Sequence, residues 1–463
     1  MELLDHIARV AADHPKRPAY IAVGAVETPM TYSDLWELVR RSRWDTPSHP
    51  VTDLTSQHDL APGHTVVLRS HNSILFPAAF LALLARGIHV LPVSDRLTDR
   101  EVSDLSSLVG ARATLSLDHV FPPRLPPLSR SPGALLLPTS GTTAAPKVVL
   151  RAAASLDAVA RNCVQAVGFS SSDRVLSAVP LTHSYGLEHG LLAPLFAGST
   201  VILARGLEPA SLAAGLASGV TLLPAVPTLI EGLAATTAPL AEMKNAKVYS
   251  AGAPLPDAVR QRFTDRFGTH VGQLYGSTEI GSVTYRPGDA TSPPNDVGYP
   301  MPGVELHVDP ETAELSVRSP GMFAGYVTGC EDAAHLSATG PATTAFPTAD
   351  LAHLTPQGNV QLVGRASLLI DIGGQKVNPL EVEAILSAHP GVADCVVLPV
   401  RQTETVHRLR AVIVPRDPAS PPSDAALREH ARTRLAPHKI PRTFELRQSL
   451  PRSPAGKVLR NEV

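Results

Sequence analysis

The chain has 463 residues, of which 44% are hydrophobic and 18% charged. That balance supports a sizeable buried core and excludes a disordered chain. A formal charge of −2, with no long basic run, speaks against a nucleic-acid or anionic-membrane partner. Cys163, Cys330 and Cys395 are scattered; they suit a reducing compartment and offer no metal-ligand spacing.

Met1 to Val10 carries Glu2, Asp5, His6 and Arg9 on an apolar helical stripe, without the apolar core of a signal peptide. No uncharged apolar run approaches the roughly 20 residues that span a bilayer, so a soluble cytoplasmic protein is expected. Residues 1–46 read as helix, strand and a second helix with Ser33 as N-cap; 44–60 reads as loop. From Thr65 the pattern alternates between β runs (65–68, 88–93) and a helix (73–86), the rhythm of a largely parallel sheet. Residues 121–133, rich in Pro and Ser, lead to a strand at 135–137.

The rhythm continues with helices over 152–167 and 190–196. Strands are expected at 175–179, 200–203, 220–223, 247–251 and 270–275. Short strands at 305–308, 314–318 and 360–363 suggest a β-rich subdomain over about 300–363. Beyond Gly364-Arg365 come strands at 368–372, 392–400 and 410–414, with helices at 379–389 and 423–435, the latter capped by Ser423. That is an α+β unit of ordinary domain size.

Chemistry concentrates in a few stretches. In Leu137-Pro138-Thr139-Ser140-Gly141-Thr142-Thr143-Ala144-Ala145-Pro146-Lys147, small residues free backbone N–H groups for an anion, and hydroxyls and Lys147 add donors and charge. It is not the G-x-x-x-x-G-K-[ST] loop, because Lys147 lacks the flanking Gly and Ser/Thr; a polar hairpin has the same composition. Pro180-Leu181-Thr182-His183-Ser184-Tyr185-Gly186 follows a strand, where α/β ligand sites lie, although His183 alone is equally a turn histidine.

Ser250-Ala251-Gly252-Ala253-Pro254 leaves room for a flat ring, or is an ordinary strand-to-helix turn. Tyr275-Gly276-Ser277-Thr278-Glu279 offers an aromatic ring, a hydroxyl for phosphate and a carboxylate for magnesium, or is a polar loop. Asp350, with Gly364-Arg365 across an expected hairpin, suits a ribose grip or a surface ion pair. Gly456-Lys457, read alone, is a solvated chain end.

In this order, from Thr31-Tyr32-Ser33-Asp34-Leu35 through Ala85-Arg86-Gly87-Ile88-His89-Val90-Leu91-Pro92 to Gly456-Lys457, the motifs resemble the adenylate-forming superfamily over essentially the whole length. That superfamily contains acyl-CoA synthetases, peptide-synthetase adenylation domains and beetle luciferases. The resemblance implies an α/β fold with a large N-terminal domain, 1–365, of βαβ layers plus the β-rich subdomain, and a small mobile lid, 366–463. It implies ATP and Mg²⁺ as cofactors, with coenzyme A or a carrier-protein phosphopantetheine as acceptor.

By the same resemblance, Thr139, Ser140, Gly141, Thr142, Thr143 and Lys147 handle ATP phosphates. Gly252, Ala253 and Pro254 pack the adenine with Tyr275, and Gly276 lies beside them. Thr278 contacts the α-phosphate, Glu279 holds Mg²⁺, and Asp350 and Arg365 bind the ribose. Lys457 bridges the acyl carboxylate and the α-phosphate. His183 flanks the acyl pocket and pantetheine tunnel, and Gly373-Gly374-Gln375-Lys376 swings in for thioester formation. The acyl pocket would be lined by His183, Tyr185, Val226, Ser250, Gly252, Gly276 and Ile280.

His183-Ser184-Tyr185 lacks the carboxylate with which amino-acid-activating relatives pair an α-ammonium. An aryl or small-to-medium acyl acid is therefore expected, and an acyl carrier protein is the alternative acceptor to CoA. The chain departs from the family pattern at Ala144, Val148 and Ala349, where glycine is usual, and at Ser367 in the hinge. A catalytically silent nucleotide-binding homologue is the alternative, supported by Ala144, Ala349 and Ser367 alone; intact Lys457, Glu279 and Asp350 argue against it, and activity is expected.

Overall fold

The computed structural model describes residues 1–24, 29–41, 60–117, 125–139, 147–237, 239–332, 335–339, 345–365, 368, 370–372, 375–401, 407–435, 437–453 and 458–463. Strands Thr200–Leu203, Arg174–Ser177, Leu222–Ala225, Lys247–Ser250 and Val271–Ser277 lie side by side in that order, all parallel, at the centre of a thirteen-stranded sheet. Thr200–Leu203 is buried throughout; covered on both faces, such strands are continuously apolar rather than alternating. Helices Pro209–Leu216, Pro227–Ala235 and Asp257–Phe267 make crossovers. Pro209 and Pro227 stand in the first turn, where a missing N–H leaves no bond unmade.

The expected parallel arrangement holds for this centre and for part of the second sheet, and antiparallel strands extend both. From Gly281–Arg286 outward, strands Asp296–Pro300, Val360–Arg365, Phe346–Leu354, Glu314–Arg318 and Glu305–Val308 continue antiparallel. In a second sheet Ala113–Ser116, Thr65–Ser70, His89–Ser94 and Leu135–Thr139 are parallel, while Lys147–Arg151, Gly325–Asp332 and His335–Thr339 add antiparallel. The strands between 300 and 363 are thus shared between two sheets. Helix Phe76–Leu84 is buried along its whole length.

Two expectations shift for local reasons. Helix Tyr32–Arg40 is capped by Thr31, not Ser33: Asp34 N donates to Thr31 Oγ1 at 3.1 Å and Thr31 N to Asp34 Oδ2 at 2.9 Å, a reciprocal capping box. The helix expected from 190 already starts at Ser184 and runs to Ala197, with a π turn over Glu188–Leu192. Ser184, Tyr185 and Gly186 are therefore helical, and His183 is the N-cap.

The C-terminal part is α+β, as expected. Strands Val392–Arg401, His407–Pro415 and Thr443–Leu446 form one sheet. Helices Pro379–Ser387 and Asp424–Arg432 enclose a core with Val382, Leu386, Val397, Ile413 and Leu427. Ser423 caps as expected, accepting from Ala426 N at 3.2 Å. Among the described residues no helix is long and apolar enough to cross a membrane.

Candidate active site

The hydroxyl-rich loop leaves and re-enters the second sheet as a hairpin, with Thr139 opposite Lys147; Ser140, Gly141, Thr142, Thr143 and Ala144 lie outside the described residues. Val148, a departure from the family's glycine, is buried in the strand opposite Pro138 and needs no positive φ. Lys147 is exposed, its Nζ 5.2 Å from the centre of the Tyr326 ring. The Tyr326 hydroxyl donates to Glu279 Oε1 at 3.0 Å, and Ser277 Oγ donates to Oε2 at 2.8 Å. Lys147, at the base of the hydroxyl-rich loop, and Glu279 therefore meet across the two sheets through Tyr326.

Thr278 and Glu279 occupy a tight turn rather than a polar loop: Ser277 pairs with Gly281 as the antiparallel strand Gly281–Arg286 begins. Gly281 has φ +70°, open to glycine at no steric cost. Phe323 N donates to the Glu279 carbonyl at 2.7 Å, fixing the turn to the 319–324 crossing between the sheets. The donors on the Glu279 carboxylate are neutral, and no cation among the described residues pairs with it. A half-buried carboxylate aimed by hydroxyls, with its charge unspent, suits a hard divalent cation.

The residues expected at the ribose converge. Asp350 and Arg365 are register partners on adjacent strands. Arg365 Nε lies 2.9 Å from Asp350 Oδ1 as an ion pair, outside hydrogen-bond alignment. The Tyr275 hydroxyl donates to Asp350 Oδ2 at 2.7 Å. Burial, then the Asp350 charge, pushes that hydroxyl well above its ordinary pKa, so it stays a donor. Gly252, at φ +87°, lies two residues beyond the strand Lys247–Ser250, and a methyl group there would meet nothing within 4 Å. That open edge, with Ala253 and Pro254, has room for a flat ring.

Ala349 has φ +58°, in the left-handed region that the glycine usual at this position would occupy freely. Ala349→Gly is expected to stabilise the fold by about 1 kcal/mol, because the strain on an alanine there exceeds the added freedom of the unfolded chain. The urea midpoint should rise at unchanged slope; a lowered midpoint would mean that contacts of the methyl outweigh the strain.

Beneath the expected acyl pocket lies a buried polar cluster that sequence reasoning missed. Arg151 Nη1 is 2.5 Å from Glu188 Oε1, with both side chains essentially inaccessible. Glu188 Oε2 accepts from Ser282 N at 3.0 Å and Ser282 Oγ at 2.6 Å. Burial pushes the Glu188 carboxyl up, but Arg151 and the Ser282 hydroxyl outweigh it and hold it below its usual range. A carboxylate thus does lie just beyond His183-Ser184-Tyr185, although it is already engaged.

His189 Nδ1 is 2.7 Å from the Tyr249 hydroxyl and Nε2 is 3.0 Å from Ser282 Oγ. Cys163, Glu188 and His189 come within 4.8 Å of one another. They make a poor metal site, since Arg151 neutralises Glu188, both imidazole nitrogens are engaged and burial keeps Cys163 a thiol.

Burial lowers the His189 pKa to about 4. Between that value and the ordinary 6.5, the unfolded chain binds a proton that the folded chain refuses. This contribution is therefore intact above pH 6.5 and is lost as pH falls toward 4. From pH 7 to 5 it amounts to about 2 kcal/mol. His189→Gln should show a smaller loss of urea stability over that interval than the parent; an equal loss would assign the acid sensitivity to other groups.

Of the other expected pocket residues, Tyr185 lies 4.9 Å from the His189 ring, centre to centre, and Val226 caps the helix Pro227–Ala235. Ser250 Oγ is buried without a hydrogen-bond partner, and the Tyr185 hydroxyl is buried beside the Ala225 backbone. Ile280 is turned into the core with Val283, Val297 and Val317. Gly276 permits the close strand approach at the turn, where a methyl would fall 2.2 Å from the Gly281 carbonyl. His183 is exposed.

Gly373, Gly374, Ser367 and Lys457 lie outside the described residues. The chain around Lys457 is anchored on both sides: Arg452 pairs with Asp394 at 2.5 Å, and Arg460 with Glu383 at 2.7 Å while donating to the Val397 carbonyl at 2.9 Å.

Known proteins resemble this chain in sequence and in fold. The family model for AMP-binding enzymes matches residues 119–327, and that for the AMP-binding enzyme C-terminal domain matches 381–457. An oxalate–CoA ligase of Arabidopsis thaliana is 27% identical, over 99% of this chain and 97% of that protein. A feruloyl-CoA synthase of an Amycolatopsis species is 32% identical over 74% of this chain and 71% of that protein. The crystal structure of ATP-bound MatB from Rhodopseudomonas palustris superposes with a TM-score of 0.83 at 24% identity, over 99% of this chain and 98% of that one. With two domain models in the expected order, a 32% identical relative and the same fold from end to end, the chain belongs to the adenylate-forming acyl-CoA ligases, the AMP-binding enzymes that join an acid to a thiol.

Proposed function

We propose that the chain activates an aryl or small-to-medium acyl carboxylic acid with ATP and passes the acyl group to the thiol of coenzyme A. In the first half-reaction a carboxylate oxygen attacks the α-phosphorus. The bond from that phosphorus to the bridging oxygen breaks, and pyrophosphate leaves with the electron pair. Both reactants are anions, so positive charge and donors must gather where they meet. Lys457 and Lys147 supply charge, Thr278 donates to the α-phosphate, and Glu279 would hold the Mg²⁺ that shields the phosphates. Asp350 accepts from the ribose hydroxyls, with Tyr275 and Arg365 holding its carboxylate in place.

In the second half-reaction a thiolate attacks the acyl carbon and AMP departs. No general base is needed at the acid, which is already ionised at pH 7. Lys457 and the Gly373-Gly374 loop are widely separated along the sequence of the C-terminal part and serve different half-reactions, so a rotation near 365–367 would present them in turn.

The observation that carries this reading is the convergence of Tyr275, Asp350 and Arg365 beside the turn bearing Thr278 and Glu279. For the acid, the rings of Tyr185, His189 and Tyr249 and the orphan hydroxyl of Ser250 favour an aromatic acyl group with a polar substituent. The buried cation Arg151 is spent on Glu188, which leaves a second carboxylate on the substrate without a partner there. Pyrophosphate release over a panel of aryl, acyl and dicarboxylic acids, each with CoA, with a phosphopantetheinylated carrier protein and with neither, tests the reading. Release with aryl acids and thioester formation on CoA is expected. Turnover only with the carrier protein would move the acceptor, and no release with any acid would overturn the activity.

A further inference from the structure

We infer that the buried Arg151–Glu188 pair is a positioning device that ties three separate segments of the active site into one unit. Arg151 ends the strand that begins at Lys147, the exit of the phosphate loop. Glu188 lies on the helix capped by His183, and Arg151 Nη1 and Glu188 Oε1 both contact Ser184 Oγ, at 3.3 and 2.9 Å. Ser282, which gives Glu188 both its N–H and its hydroxyl, stands three residues after Glu279.

Contacts on the other side of the guanidinium complete the tie. Arg151 Nε donates to Ser155 Oγ at 3.3 Å, and Ser155 Oγ donates to the Gly321 carbonyl at 2.8 Å. The guanidinium lies directly under the turn: a methyl on Gly281 would come within 3.0 Å of Arg151 Nη2. Apolar packing would fill this volume, but it would not set a register. A buried carboxylate must find all its donors, and those donors sit on three different segments. Shifting the Thr278–Glu279 turn relative to the phosphate loop strips Glu188 of Ser282 or of Arg151, at high cost in a dry interior. Thr278 and Glu279 are thereby held at a set distance from Lys147 before any ligand arrives.

This inference rests on the ligase reading above for its consequences, but not for its test. A single truncation would leave an unpaired buried charge and could unfold the chain, so paired variants are required. R151M/E188L removes the tie at similar volume. R151M/E188Q also removes the charges but restores a carbonyl acceptor for Ser282. Amide hydrogen exchange of the full-length chain should show peptides spanning 277–282 exchanging at least about tenfold faster in R151M/E188L. Peptides from the strand 200–203 should stay at the parent rate, and R151M/E188Q should return 277–282 most of the way. In parent enzyme that releases pyrophosphate, R151M/E188L should also lower kcat and raise the Mg²⁺ needed for half-maximal rate about tenfold, with KM for the acid nearly unchanged. Parent-like exchange at 277–282 in R151M/E188L, or equal acceleration throughout the chain, overturns the inference. A parent without activity overturns only the ligase reading, because the exchange result still decides the tie.

Discussion

Lys457→Ala is expected to lower adenylate formation by about a thousandfold or more, the scale of removing a charge aimed at a developing anion. Thioester formation from a supplied acyl-adenylate should change by no more than about twofold, because in that half-reaction the lysine has no anion pair to bridge. The asymmetry follows from the anchoring of the chain around it. Arg452 on Asp394 and Arg460 on Glu383 hold both flanks to the C-terminal sheet and helix, contacts that the substitution leaves untouched. Rapid-quench measurement of the two half-reactions separates them, and equal loss in both would count against a rotating C-terminal part with two working faces.

Asp350→Ala is expected to reduce kcat/KM for ATP about 100-fold, since hydrogen bonds to a charged group are worth about 1.5–3 kcal/mol and more than one is lost. Most of the effect should fall on KM for ATP, with KM for the acid unchanged. Tyr275 and Arg365 each lose a partner with it, so the effects of Tyr275→Phe and Asp350→Ala should not add. Deoxygenated ATP gives the cleaner diagnosis. The parent should discriminate strongly against the analogue lacking the ribose hydroxyls, and Asp350→Ala should hardly discriminate. A variant that still prefers ATP over the analogue would place the ribose elsewhere.

The elements read most easily from sequence were those governed by short-range rules. Val175, Leu176, Val201 and Ile202 sit in strands because runs of apolar residues flanked by turn residues have few other uses. The helix from Ser184 to Ala197 begins ahead of the expected start at 190, because Gly186, close after Pro180, has the composition of a turn. Close packing requires Gly186 and Gly190: a methyl on Gly186 would fall 2.1 Å from the Pro180 carbonyl, and one on Gly190 would fall 2.3 Å from Ser177 Oγ. The helix Asp99–Leu108 carries its own sequence signal, since Thr98 and Glu101 form a capping box at its start.

At the site, Asp350 and Arg365 were legible as a pair because a hairpin brings residues at that spacing opposite each other. Arg151, Glu188, Ser282 and Tyr326 were not, because their contacts join segments that share no periodicity. One signal was available for the first two. Arg151 follows Val148-Val149-Leu150, and Glu188-His189 interrupts Leu187 to Leu192. Charges inside such runs have no solvent to reach and must find each other.

The crossing of the chain from one sheet to the other between Arg318 and Gly325 bears on how the protein reaches its native state. Tyr326 meets Glu279 only after that crossing, and Asp350 meets Tyr275 only after the chain has returned. Each meeting closes a long loop before it yields any contact, which makes such steps slow and late. On dilution from denaturant, helical signal should therefore return well before nucleotide affinity. A ribosome-bound chain that has emerged only as far as Val327 would carry the Tyr326–Glu279 contact but not yet the Tyr275–Asp350 one.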